Sequence, residues 1–181
     1  MVEPWLRGTL TEVDAVRRQV LHALLLAEED CSRWCVELSL QQLTECPFDL
    51  PSVSFHMLHT VRSLDRLLTY LEGSPLSPGQ MADLRTEHTV PASRAELFAE
   101  FEIGMATAAA RIRRIQPGAY EISRGVGRES LPSTVGGLLI HCAEHTQRHS
   151  GQMVTTAKLV AAMQQRSILL MPEEWEQPTS Q

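Results

Sequence analysis

His141-Cys-Ala-Glu-His145-Thr-Gln-Arg-His149-Ser-Gly-Gln152 lies inside an otherwise apolar stretch, and its histidines recur at every fourth residue. That spacing belongs to a helix, where residues four apart stand one turn above each other on one face. The flanking residues set the limits of the segment. Pro132-Ser133 precedes it, with Ser133 or Thr134 as N-cap, and the apolar pattern runs on to about Met163. On a helical wheel the inward stripe holds Leu138, Cys142, Gln152, Thr156, Leu159 or Val160, and Met163. His145 and His149 fall at its centre, with His141 about 60° to one side. Glu144 points away from the stripe.

Three more segments show the same periodicity. The first runs from about Thr11 to Leu38 through Val16, Val20, Leu24, Ala27 and Cys31. The second runs from about Val53 to Leu71, with Met57, Leu64, Leu68 and Leu71 on one side. The third runs from about Arg94 to Ile115 through Leu97, Phe101, Met105, Ala108 and Ile112. These are the stripes of bundle helices, and no segment alternates as a strand does. Pro47 and Pro51 separate the first two helices, Gly73 caps the second, and Pro117-Gly118 ends the third. The last two connections span roughly 18–20 residues, against about 2–8 in simple bundles, so crossovers along the bundle are allowed. An all-α, four-helix domain over residues 1–165 is expected, with residues 166–181 as a partly ordered tail.

The composition excludes several function classes. The chain has 181 residues, is 43% hydrophobic and only 5% aromatic, and carries a net charge of −6. Its cations are arginines apart from Lys158, and they form no dense run. Nucleic-acid binding is therefore not expected, because phosphate contacts need clustered cations. No apolar run reaches the ~20 residues of a membrane span, and the N-terminus lacks the pattern of a signal peptide. Cys31, Cys35, Cys46 and Cys142 form no disulfide framework. Cys31 and Cys35 read as small core residues, and a reducing cytoplasm is the expected compartment.

Five of the 7 histidines fall in two clusters, and the second cluster, His56 and His59, opens the second helix. A third imidazole can thus come from another helix. Three nitrogen ligands with a free position make the pattern of catalytic zinc, although imidazole also suits nickel and iron. The wheel places His56 nearer the core than His59, which leaves both open as the third ligand. Asp65 and Glu102 are candidate partners for a ligand ring's second nitrogen. Gln152 can meet a ligand or a core amide, and Gly151 reads as a site of close helix contact. Metal affinity is expected to fall as pH drops through the imidazole range near ~6.5. Neither His56 nor Glu144 earns the role of general base, so the catalytic residues stay open.

His145-Thr-Gln-Arg-His149-Ser-Gly-Gln152 resembles the terminal His-x-x-x-His-x-Gly-Gln motif of the DinB/YfiT-like metalloenzyme family. The run from His59 to Gly73 is similar to that family's second helix, and Pro132-Ser-Thr-Val-Gly-Gly-Leu-Leu139 to the entry of its last one. The resemblance covers roughly residues 11–165 and implies a four-helix bundle wired up-up-down-down. It implies a divalent metal on His59, His145 and His149, with zinc or nickel first and iron or manganese next. His56 then becomes a neighbour or alternative ligand. It further implies a homodimer and a small-molecule substrate. The activity expected is a thiol-dependent transferase using a low-molecular-weight thiol, or a metal-assisted hydrolase. The competing reading is a non-catalytic metal-binding or stress-response bundle, whose site His56 or Cys142 would close.

Overall fold

The computed structural model describes residues 2–169, with the side chains of α6 described through Gln165. In order along the chain the elements are α1 (Ala15–Trp34), α2 (Leu40–Thr44), α3 (Val53–Leu71), α4 (Pro78–Thr86), α5 (Arg94–Arg114), β1 (Ser123–Val126), β2 (Leu131–Thr134) and α6 (Val135–Leu169). The four long helices α1, α3, α5 and α6 are the four apolar segments of the sequence. Side-chain caps start them. Asp14 caps α1, Ser52 caps α3, Ser93 caps α5, and Thr134 Oγ1 accepts the Gly137 N–H at the head of α6. The expected C-terminal tail lies outside the described residues, except that α6 continues to Leu169. Among the described residues no helix is long and apolar enough to cross a membrane.

The helices share one aliphatic core. Val20, Leu24 and Ala27 from α1 meet Met57, Leu64 and Leu68 from α3, Leu97, Met105 and Ile112 from α5, and Leu139, Met153 and Ala157 from α6. Helix α6 packs between α1 and α3, and α5 packs on α3 and more thinly on α1. Beyond His149 the buried stripe of α6 runs through Ser150, Met153, Ala157 and Val160, and Gln152 is exposed. The sequence reading turned Gln152 inward. The structure puts it one position off the stripe, because the buried face drifts around the helix over so many turns.

The wiring differs from the up-up-down-down order that the family resemblance implies. Gln147 donates to the Ala23 carbonyl, Ser150 to Asp30, and Lys158 sits over Trp34, so α6 runs parallel to α1. Arg62 pairs with Glu100 and Asp65 with Arg111, so α5 runs parallel to α3. His56 meets His149 and His59 meets His145, so α3 opposes α6. The order is up-down-down-up, with one crossover, between α3 and α5. Helix α4 makes that return, and a capping box at Ser77 and Gln80 starts it. Gln80 holds it to Asp65 and Thr69.

The α5–α6 connection is not a crossover. It turns back at the same end of the bundle through an antiparallel hairpin, β1 on β2, with Gly125 opposite Pro132. The sequence shows no strand pattern here because each strand has four residues, among them a glycine and a proline. Gly127, at φ +72°, makes the turn, and Arg124 Nε donates to the Leu71 carbonyl at 2.6 Å, fastening the hairpin to α3.

Two glycines mark opposite conditions on the helices. A Cβ on Gly104 would lie 2.5 Å from the Val61 Cβ, so α5 and α3 meet backbone against side chain there. A Cβ on Gly151 would meet nothing within 4 Å, so close helix contact does not explain that glycine. Gly104→Ala should therefore cost about 1–3 kcal/mol through overpacking, and Gly151→Ala should stabilise by up to about 1 kcal/mol through helix propensity. Urea unfolding of the two variants checks both signs.

Candidate metal centre

Helices α3 and α6 cross where their histidines face each other. His59, in the second turn of α3, and His145 and His149, one turn apart on α6, each offer a ring nitrogen, and these nitrogens all lie within 4.8 Å of one another. The His59 Nε2 and His145 Nε2 atoms are 3.2 Å apart. Ring centroids are 4.4 Å apart for His59 and His149, and 4.5 Å for His145 and His149. The three rings are half-buried, so solvent reaches the group. Phe55, one turn before His59, stacks on the His59 ring at 5.2 Å and also on His88 at 4.5 Å.

Behind His59 stands a residue that the sequence reading did not name. Glu87, at the C-terminal end of α4, is buried and accepts the His59 Nδ1–H at 2.7 Å. That bond fixes the tautomer, so the lone pair of His59 sits on Nε2, towards His145. Arg66 Nη1 lies 2.7 Å from the other Glu87 oxygen, close enough for charge pairing although no N–H points along that line. Arg66 also donates to Ser63, whose Oγ is 3.4 Å from His59 Nε2. The expected partners stand elsewhere, and Glu102 is exposed. Asp65 pairs with Arg111 in a link between α3 and α5. The crossover brings Glu87 in from 28 residues away, and no periodicity reports such a contact. Ser63 and Arg66, one and two turns beyond His59 on its own face, were readable from spacing.

His56 takes the corresponding place behind His149. It is buried, and its Nδ1 lies 3.1 Å from His149 Nδ1. Thus His59 belongs to the three-ring group and His56 backs it. His141 stands at the edge, its side chain 43% exposed and turned to Glu144. Cys142 is wholly buried in the core, and burial pushes its thiol up to about 12, away from the thiolate a metal needs.

Burial also favours the neutral form of His145, His149 and His56. It pushes His145 down to about 3, helped by the neighbouring charges of His149, His59, His141 and Arg148. His149 goes down to about 4 through burial, His59 and Arg148. His56 goes down to about 4 through burial, His149 and His59. These rings keep free lone pairs well below the pH of ~6.5 at which free imidazole protonates. For His145 and His149 the same burial would weaken proton competition with a metal ion below the range near ~6.5.

The group fits a metal ion on its own geometry. Two nitrogens on one tetrahedral zinc, each at about 2.0–2.1 Å, lie about 3.3 Å apart. The His59–His145 pair, at 3.2 Å, already has that spacing. The other nitrogen of that ring, His145 Nδ1, is buried without a partner among the described residues, the kind of polar atom that an ordered water or ion satisfies.

A helical bundle with three imidazoles on facing helices, one backed by a carboxylate, defines a class of proteins with a three-histidine group able to hold a metal ion. The chain belongs to the DinB superfamily, whose family model matches residues 15–153. Among solved structures it is similar to a conserved protein from Enterococcus faecalis. That match has a TM-score of 0.68 and 20% identity, and covers 83% of this chain and 99% of the other. It supports the fold alone. No curated protein matches the chain.

The depressed rings predict a pH signature. The unfolded chain binds protons near ~6.5, whereas His56, His145 and His149 bind theirs in the folded state at about 4, 3 and 4. Stability of the metal-free protein should therefore be at its full value above ~6.5 and be lost progressively as pH falls towards 4. NMR titration should find the His145 and His149 rings unprotonated at pH 5.5. Protonation of either near ~6.5 in the folded protein would refute the burial account.

Proposed function

We propose that this chain is a divalent-metal-dependent enzyme acting on a small molecule, with His59, His145 and His149 as the ligands. The supporting observation is the convergence of three half-buried rings with Glu87 behind one of them. Zinc or nickel suits three imidazoles best, with iron or manganese next. When bound, such an ion supplies Lewis acidity that lowers the pKa of a water or a thiol joining it. The reaction class is thiol-dependent group transfer, with hydrolysis as its counterpart when water takes the thiol's place. The protein's residues orient and shield. Glu87 and His56 fix the ring orientations, Arg66 holds the Glu87 carboxylate, and Phe55 covers one face of His59.

The alternative is a non-catalytic metal-binding bundle, closed by a fourth protein ligand. The half-buried rings and the core position of Cys142 favour the enzyme. A reducing cytoplasm fits four unpaired cysteines. The reading includes a homodimer. Its support is the thin α1–α5 seam, a groove of about 550 Å³ lined by Leu10, Leu21, Leu25, Ala106 and Ala109.

Elemental analysis of untagged protein should find about one divalent metal per chain. His149→Ala should lower that content sharply, and His141→Ala should leave it near wild type. Full metal in the alanine variant at 149, or loss that follows 141, would refute the ligand set. Glu87→Ala should weaken zinc affinity by about 10–100-fold, measured by chelator competition.

A further inference from the structure

A cavity of about 350 Å³ opens beside the histidine group, lined by Leu50, Pro51, His56, Arg148, Gly151 and Gln152 among others. His56 is its inner wall, and the same ring touches His149. Arg148 and Gln152 stand one turn apart on α6, both exposed. Neither makes a side-chain hydrogen bond or ion pair among the described residues. An exposed arginine is usually just solvated, but three features argue otherwise here. Glu144 lies one turn before Arg148, at good spacing for an ion pair, yet its carboxylate lies 3.5 Å from His141 Nδ1 instead. Gly151 leaves bare helix backbone between the two donors, with nothing within 4 Å of the place a Cβ would take. A glycine in mid-helix costs about 1 kcal/mol, and packing gives no reason for it. Leu50 and Pro51 form an apolar wall opposite.

We infer that this cavity is the substrate pocket, and that it selects a small carboxylate-bearing molecule. The carboxylate lies on the Arg148 guanidinium and the Gln152 amide, the body lies over Gly151, and the other end lies against His56, whose ring touches the ligand His149. Guanidinium matches carboxylate in charge and planar geometry. The acidic chain, at −6 overall, offers anions little general attraction, so a local cation has to supply it. The inference deepens the reading of the three-histidine group as the reacting centre and rests on it.

The test uses probes whose thiol can occupy the metal, so that the far end reports on the pocket. Zinc-loaded full-length protein is titrated calorimetrically with mercaptopropionate and mercaptobutyrate, and with the uncharged amide of each. At least one acid should bind about tenfold or more tighter than its amide, the size of a charge-assisted hydrogen bond. Arg148→Met should abolish the preference while zinc content holds, and Gln152→Ala should reduce it. Equal binding of acid and amide by the wild type, or a preference that survives in the methionine variant, would overturn the inference. A second readout needs no metal. In zinc-free protein the side-chain N–H signals of Arg148 and Gln152 should shift with butyrate and not with butyramide. If they shift although zinc fails to bind, the anion pocket stands and the metal reading falls. If zinc binds and they do not move, the metal reading stands and this inference falls.

Discussion

Everything near the site depends on burying imidazoles where α3 crosses α6. Each ring nitrogen there needs a partner or leaves a polar atom stranded. The chain meets most of that demand with other side chains. Glu87 takes one nitrogen of His59, His56 meets His149, and His59 meets His145. The result is a cluster of ring nitrogens facing one another across the α3–α6 crossing, at distances that also suit ligands of one ion.

The crossover wiring serves the same end. Simple up-down wiring would leave no strand of chain to run back along α3. Here α4 returns antiparallel to α3, anchored by Gln80 at one end, and delivers Glu87 to the back of His59 at the other. The longest connection in the bundle is thus part of the centre. On the opposite flank, the loop before α3 supplies Leu50 and Pro51 to the wall of the cavity. Two connections and two helices therefore converge on the same end of the bundle.

The four helices were legible because their stripes are long and their caps strong. Leu97, Phe101, Met105, Ala108 and Ile112 are all buried as their spacing requires. The meeting of His145 and His149 followed from one-turn spacing. What spacing could not give was anything set by tertiary geometry. The direction of α6 against α1, the hairpin of four-residue strands, and the arrival of Glu87 are such features. Gln152 was misplaced because a wheel of constant pitch loses phase along a long helix. Gly151 was misread because sequence does not distinguish a glycine pressed by a neighbour from one facing an open cavity.

X-ray absorption at the edge of the metal that co-purifies with the untagged full-length chain tests the central claim most directly. The account predicts three imidazole nitrogens at about 2.0–2.1 Å and at least one further light scatterer. A sulfur at about 2.3 Å, or a spectrum without an imidazole signature, would contradict it.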